Sequence, residues 1–327
     1  MHNTLQTNRS MLQSPVVRVS ILLALLAIAF ALYLTWDMKA SLEFTLKYRS
    51  KKLITLVIVG AAISISTVLF QTMTENRILT PGIMGFDSLY GLIQALLVVS
   101  LGVIGFNTLN PYLKWLLETS AMVACTALLY RIFFKGNQQS LQFLLLAGIV
   151  LGILFGSASG LIFRMLDPTE FTVLQDNLFA SFSRIDSTML VISICVITFS
   201  SIYIWRKHAT LDVMLLGRHC ATNLGINIPR MTKEILMIVT VLISVSTALV
   251  GPITFFGLLV AHLAYRLTPC YHHRWLLPMA ALLGIAILVV GDFLLQHVFD
   301  FSMQLSIIIE LFGGLCFLAL IMYREKT

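Results

Sequence analysis

The residues of this sequence that could do chemistry are ionisable side chains set inside long apolar stretches. Asp292 and Glu310 each interrupt such a stretch, and His262 and Arg266 stand one helical turn apart near the end of another. Charge in a membrane interior is costly and commonly marks an ion, proton or substrate site. Structural roles also fit: Asp292 can cap its helix or lie at the surface, and Glu310 can face a cavity, pair with a basic residue or be protonated.

Metal binding and covalent catalysis find little support in the sequence. A metal centre needs several converging ligands, and the segment of His262 offers no second His or Cys at matching spacing. His272 and His273 are expected to be solvated in a short loop. No Ser/His/Asp or Cys/His arrangement suggests a nucleophile. We therefore predict no catalytic residue, no metal site and no directly bound cofactor.

Composition indicates the environment in which these side chains must be placed. The chain has 327 residues, of which 58% are hydrophobic and 11% charged, whereas soluble domains carry about 25% charged residues. A membrane-spanning helix needs about 20 mainly apolar residues. We predict one all-α, polytopic membrane domain over residues 1–327, with about ten transmembrane helices. The candidate spans are Val19–Trp36, Leu53–Thr72, Leu89–Phe106, Leu116–Phe134, Leu141–Phe163, Met189–Trp205, Ile235–Val250, Ile253–Leu267, Leu276–Phe293 and Leu305–Tyr323.

The distribution of basic residues predicts the orientation. With both termini in the cytoplasm, most of the 22 Lys and Arg residues fall on the cytoplasmic side, as the positive-inside rule requires. The net charge of +7 is explained in this way and does not indicate nucleic-acid binding. Residues 1–18 are expected to form a cytoplasmic arm, and the first span is expected to be retained instead of cleaved as a signal peptide.

Two loops and one basic run depart from plain spanning segments. The run Arg49-Ser50-Lys51-Lys52 abuts the second span on the outer face, where it either snorkels to the interface or docks an acidic partner. The outer loop 166–187 is long enough for a short surface helix. The inner loop 206–233 is basic, and within it Gly217 and Gly225 bound a second short helix.

A glycine recurs at every fourth residue of the fifth span, on one helical stripe. Such a stripe allows two helix backbones to approach closely. It can reflect tight packing within one bundle, or a small-residue face along a pathway or subunit seam. The glycines are Gly148, Gly152, Gly156 and Gly160.

The stretch "GPITFFGLLVAHLAYRL" resembles the signature of the FecCD/BtuC-type permeases, which are membrane subunits of ABC importers for ferric siderophores, haem and vitamin B12. Gly251, Pro252, Gly257 and His262 match the pattern G-P-I-x-F-x-G-L-x-x-P-H-x-x-R, and the basic residue falls at Arg266. The stretches "RSKKL", "LLLAGI", "LLGRHCATNLG" and "HHRWLLPMAALLG" resemble further family motifs in the correct order, across nearly the whole chain.

The resemblance implies a permease subunit of an importer in a bacterial inner (cytoplasmic) membrane. Its expected partners are an ATPase pair that hydrolyses the ATP, a second permease subunit, a periplasmic substrate-binding protein and the lipid bilayer. The binding protein would dock on Arg49 and Lys52, and the glycine stripe with Glu310 would line the pathway. The inner loop would couple to the ATPase through Leu216, Gly217, Arg218, Ala221, Leu224 and Gly225.

Departures from the family pattern bear on the cargo. Arg77 stands where a proline is usual, "FDSLYG" replaces the small-residue segment after Gly85, and Glu310 replaces a small or hydroxylated residue. These differences favour a siderophore-permease branch that forms a heterodimer over a homodimer, with a catecholate-type ferric siderophore as cargo. Haem and cobalamin are the alternatives within the family. The alternative from another class is a proton-coupled secondary transporter that uses Asp292 and Glu310.

Overall fold

The computed structural model describes residues 14–36, 41–133, 141–183, 185–298 and 304–324. Within these ranges all regular structure is helical, which confirms the predicted all-α class. Residues 1–13 of the predicted cytoplasmic arm lie outside the described residues. The words "outer" and "inner" denote the two sides of the membrane in the predicted orientation.

Each of the ten predicted spans corresponds to one helix of the structure. Seven of the described helices, α1, α2, α3, α5, α7, α10 and α12, are long and apolar enough to cross a membrane, whereas α11 and the apolar part of α13 are shorter. The predicted number of ten is therefore approximate. The helices are α1 (Pro15–Thr35), α2 (Leu42–Thr74), α3 (Phe86–Thr108), α4 (Pro111–Phe133), α5 (Leu141–Phe163), α6 (Pro168–Leu178), α7 (Ser187–Arg206), α8 (His208–Met214), α9 (Arg218–Asn223), α10 (Ile228–Val250), α11 (Phe256–Leu267), α12 (His273–Val298) and α13 (Leu305–Arg324).

The two short helices that the sequence predicts outside the spans are both present. Helix α6 lies in the outer loop and begins with a capping box, in which Asp167 and Glu170 satisfy backbone N–H groups of the first turn. Helix α9 lies in the inner loop between Gly217 and Gly225. The length of the outer loop allowed the first of these helices, and the two bounding glycines placed the second.

Helix α2 occupies the centre of the bundle and packs against α10, α11 and α12. Its apolar window is largely buried, whereas most of α1 and α5 faces outward. Helices α2 and α12 approach closely at two glycines, where a Cβ added to Gly60 would lie 3.0 Å from the backbone of Gly284. Two glycines thus allow the central helices to touch through their backbones.

Two breaks in the helices bring irregular backbone into the bundle. After α2 the chain passes through a 3-10 turn, Pro81–Met84, and reaches Gly85 at φ 86° before α3 begins. Helix α10 ends at Gly251, with φ 105°, and α11 begins only at Phe256. The predicted Gly-Pro turn between the seventh and eighth spans is therefore present. Ser181 of the outer loop covers it by donating its backbone N–H to the carbonyl of Val250 at 2.7 Å.

The first half of the glycine stripe on α5 packs against the 3-10 turn. A Cβ at Gly152 would lie 2.8 Å from Cα of Gly85, and one at Gly148 would lie 3.3 Å from the side chain of Met84. Gly156 is exposed, and a Cβ at Gly160 would meet no atom of the described residues within 4 Å. Close packing within the bundle therefore accounts for Gly148 and Gly152.

We expect the substitution Gly152→Ala to lower the free energy of unfolding by about 1–3 kcal/mol, because the new methyl group overpacks against the backbone of Gly85. The matched control is Gly160→Ala on the same stripe, which should be neutral or raise stability by up to about 1 kcal/mol through helix propensity. Thermal unfolding of both purified variants in mild detergent measures the difference. Equal shifts in the two variants would contradict the close contact.

Candidate functional site

A buried ion pair joins three helices near their outer ends. Nζ of Lys52 on α2 lies 2.8 Å from Oδ1 of Asp292 on α12, and the two residues are only 6% and 2% exposed. The hydroxyl of Tyr33 on α1 donates to Oδ2 of Asp292 at 2.7 Å. Gln296 donates from Nε2 to the same carboxylate oxygen, and to the Tyr33 hydroxyl at 3.1 Å. Both oxygens of the buried carboxylate are therefore satisfied.

This geometry corrects two expectations from the sequence. The sequence places Lys52 at the outer surface as half of a docking pair, but it is buried because Asp292 neutralises it inside the bundle. Asp292 is predicted to be a cap or a surface group, and it is neither. Arg49 is half-exposed, and its Nη1 donates to the carbonyls of Tyr33 at 3.2 Å and Trp36 at 2.5 Å. Arg49 thereby caps the carbonyl groups at the C-terminal end of α1.

The inner loop presents a short helix with uncovered leucines on each side. Gly217 and Gly225 take φ values of 88° and 86°, and Ala221 is fully buried between them. Leu216 and Leu224 are 60% and 63% exposed. The remaining residue that the resemblance singles out, Arg218, is also exposed and begins α9. All six residues thus lie together on one projecting element.

A hydrogen-bonded chain connects this loop to the core of the bundle. Asp212 on α8 accepts from the backbone N–H of His273 at 2.7 Å, and its Oδ1 lies 2.7 Å from Nδ1 of the same residue. Nε2 of His273 lies 2.8 Å from the hydroxyl of Thr72 on α2. Burial opposes ionisation of Asp212, but the hydrogen bonds from His273 outweigh it and lower the pKa of this carboxyl. The expectation that His273 is solvated is therefore wrong, since its side chain is fully buried.

The inner end of α11 carries His262 and Arg266 beside a third basic residue. The guanidinium of Arg77 lies 4.6 Å from the ring centroid of Tyr265 and 5.0 Å from that of Tyr271. Arg266 is exposed, and Nε2 of His262 is buried without a hydrogen-bond partner among the described residues. The pair therefore belongs to a basic cluster at one end of a helix, as the positive-inside rule favours.

Glu310 lies half-buried on α13, where it faces the backbone N–H of Thr254 and interacts with Asp87. Sequence reasoning missed Asp87 because it placed the start of the third span at Leu89. It also missed Glu118 on α4, which is fully buried and accepts from Nε2 of Gln94 at 2.8 Å. The departure "FDSLYG" from the family pattern contains Asp87 and is the signal that could have drawn attention to it.

The bundle, its broken helices and its projecting inner loop define a polytopic membrane permease. The model of the FecCD transport family matches residues 16–323, and the chain belongs to that family. Its members are permease subunits of ABC transporters and are not themselves enzymes.

Individual relatives agree with this assignment. The petrobactin import system permease protein YclO of Bacillus subtilis is 40% identical over 95% of this chain and 98% of its own length. FatC, the petrobactin import system permease protein of Bacillus anthracis, is 36% identical over 85% of this chain and 79% of its own. A solved structure described as a metal-chelate type ABC transporter in an inward-facing conformation superposes with a TM-score of 0.81. The superposition covers 94% of this chain and 99% of that chain. Because the two sequences are only 23% identical, the likeness supports the fold alone.

Replacing Lys52 by Met should lower the free energy of unfolding by about 3–5 kcal/mol, because Asp292 is then left as an unpaired buried charge. The double variant Lys52→Met with Asp292→Asn should recover part of this loss, since the amide is neutral and can still accept from Tyr33. Unfolding in detergent, followed by tryptophan fluorescence, measures both.

The matched control for the ion pair is Lys47→Met, an exposed lysine on the same helix α2. This variant should unfold as the unsubstituted protein does, because surface lysines contribute little to stability. If Lys52→Met behaved as Lys47→Met does, the ion pair would carry no stabilising role.

Proposed function

We propose that this chain is the permease subunit that carries a ferric siderophore, petrobactin or a close chemical relative, from the periplasm to the cytoplasm. The observation that carries the proposal is the 40% identity to the Bacillus subtilis petrobactin permease along 95% of the chain. The catecholate class expected from the sequence is part of this proposal. Haem and cobalamin are the alternative cargoes.

We propose that α9 and its flanking leucines are the contact with the ATPase. In the predicted orientation this loop is cytoplasmic, so Leu216 and Leu224 would meet water unless a partner covers them. The sequence contains no G-x-x-x-x-G-K-[ST] phosphate loop of its own. ATP would therefore act through a separate ATPase pair seated on this loop.

A second, different permease subunit and a binding protein complete the proposed assembly. Helix α5 turns a row of large apolar side chains outward, among them Phe143, Val150 and Ile153, and such a face suits a subunit seam or lipid. Arg49 is the member of the predicted docking pair that reaches the outer surface. A tagged chain that recovers only copies of itself from the membrane would exclude the heterodimer.

Proton-coupled transport is the rival from another class, and the geometry does not favour it. That hypothesis uses Asp292 and Glu310 as relay groups. Asp292 is held by Lys52, Tyr33 and Gln296 in a fully paired site. Taking up a transported proton there would break the ion pair and leave the ammonium group of Lys52 as an uncompensated buried charge, which is costly.

Deletion of the gene from its host should abolish uptake of iron-loaded petrobactin and leave haemin and cobalamin uptake unchanged, because the proposed cargo is the siderophore. Uptake of petrobactin and haemin labelled with radioactive iron, and of cobalamin labelled with radioactive cobalt, measures this, with the plasmid-borne gene as the control for restoration. Loss of haemin or cobalamin uptake instead would overturn the cargo. Uptake that survives ATP depletion would overturn the importer class.

The coupling element is tested at its glycines. Gly217 has φ 88° and ψ 159°, a region that is essentially restricted to glycine. The substitution Gly217→Val should therefore reduce uptake about tenfold without preventing membrane insertion, since strain of about 1–3 kcal/mol would displace the loop.

The matched comparison at the other end of α9 is Gly225→Val against Gly225→Asn. Asparagine tolerates positive φ far better than a β-branched residue does, so only the valine variant should lose uptake. ATPase activity of the purified complex is measured in parallel, and it should persist without transport. Normal uptake in Gly217→Val would remove the assignment of this loop.

A further inference from the structure

A small cavity with both polar and apolar walls lies where the two helix breaks meet. It has a volume of about 20 Å³, which is room for one water molecule or one small ion. Its walls come from α2, the 3-10 turn, the start of α3, the end of α10 and the Gly251–Phe255 break. Five oxygen-bearing side chains line it, together with apolar groups of Ile63, Pro81, Ile243 and Ile253: Thr67, Thr80, Asp87, Thr247 and Thr254.

Several oxygen atoms of this cavity have lone pairs that no described donor uses. Oδ2 of Asp87 is fully buried and has no hydrogen-bond partner among the described residues. Thr80 and Thr247 are 6% and 4% exposed, so their side chains are largely shielded from solvent. Thr67 donates its hydroxyl proton to the carbonyl of Ile63 at 2.8 Å, so its oxygen lone pairs are available.

Two glycines keep the space open. A Cβ at Gly82 would lie 3.0 Å from Oδ2 of Asp87, and one at Gly257 would lie 2.1 Å from the hydroxyl oxygen of Thr67. Side chains at these positions would press on the oxygens that face the cavity. Gly257 belongs to the family-like motif. In this chain a larger residue at position 257 would collide with the side chain of Thr67.

In the predicted orientation the cavity lies below the membrane surface. Helix α11 has 12 residues, or about 18 Å at 1.5 Å per residue, against a hydrocarbon core of about 30 Å. With Arg266 at the inner interface, the start of α11 and the cavity beside it lie within the hydrocarbon depth. Irregular backbone at that depth is tolerated where it is buried in protein or lines a polar cavity.

A second carboxyl group, that of Glu310, lies beside the cavity. Thr254 is a neighbour of both Asp87 and Glu310, and the two carboxyl groups are close enough to affect each other electrostatically. Two neighbouring carboxylates in a low-dielectric interior repel each other strongly. A cation held at Asp87 would offset this repulsion.

From these contacts we propose that Asp87, Thr67, Thr80, Thr247 and Thr254 form a site for one monovalent inorganic cation, Na⁺ or K⁺, that holds the two helix breaks together. The donors are hydroxyl and carboxylate oxygens, which suit hard cations. A single carboxylate in direct contact matches one positive charge, whereas Ca²⁺ takes six to eight oxygen ligands and commonly several carboxylates. This inference goes beyond the proposed function, because it depends neither on the cargo nor on the ATPase.

The site is tested by thermal unfolding of the purified full-length protein in NaCl, KCl or choline chloride at constant ionic strength. A bound cation stabilises the folded state by mass action. We expect a saturable rise of about 2–4 °C in the unfolding temperature with Na⁺ or K⁺ relative to choline. The same unfolding temperature in all three salts would overturn the proposal.

Substitutions place the effect at the cavity. Asp87→Asn should abolish the salt-specific rise, and Thr247→Val, which removes one hydroxyl at nearly constant shape, should raise the midpoint concentration about fivefold. The matched control is Asp176→Asn, an exposed carboxylate on α6, which should respond as the unsubstituted protein does.

Two outcomes of these variants count against the cation. A salt response that persists in both Asp87→Asn and Thr247→Val would locate the bound ion elsewhere. A protein that ignores the salts but is stabilised by Asp87→Asn would indicate a protonated Asp87 beside a water molecule. Because no outcome depends on uptake, failure of this proposal and failure of the siderophore assignment are distinguishable.

Discussion

The contact between α2 and α12 is the interaction on which the rest of the structure depends. At the outer end Lys52 and Asp292 form a buried ion pair, in the middle Gly60 and Gly284 meet through their backbones, and at the inner end Thr72 contacts His273. Apolar packing provides little direction for helix association in lipid, so glycine contacts and buried polar pairs determine how two helices meet. Three such contacts along one seam fix the relative position of the two helices.

This seam continues into the inner loop, because His273 also holds Asp212 on α8. The loop that carries Leu216 and Leu224 is therefore attached to the central helices α2 and α12. Interior polar contacts of this kind have discrete geometries, since a buried donor that loses its acceptor is costly. A displacement of the loop must accordingly either move α2 and α12 with it or break hydrogen bonds.

Much of the fold could be predicted from the sequence, because apolar length and helix-breaking residues are local signals. The spans, the Gly251-Pro252 turn and the short helices α6 and α9 all arise from such signals. Long-range pairing could not be predicted. Lys52 is one of several cations at the end of an apolar run, and nothing nearby in sequence indicates its partner, Asp292.

In the candidate site, too, features that depend on local sequence could be predicted and long-range contacts could not. The inner-loop residues are contiguous, so a motif could bring them together before the fold is known. The small cavity draws its oxygens from five separate places in the chain, and Asp87 falls just outside the apolar run that marked the third span. His273 stands in a polar stretch, which predicts a solvated side chain, yet the fold buries it against Thr72 and Asp212.

The uncovered leucines of the inner loop also have a consequence for how the subunit is made. If the inner loop is the proposed contact with the ATPase, a chain inserted into the membrane before that partner arrives presents Leu216 and Leu224 to the cytosol. Such surfaces promote self-association and are the kind that chaperones and proteases act upon. The amount of mature subunit in a cell would then follow the supply of its partner, so that subunits left over from assembly are removed instead of accumulating.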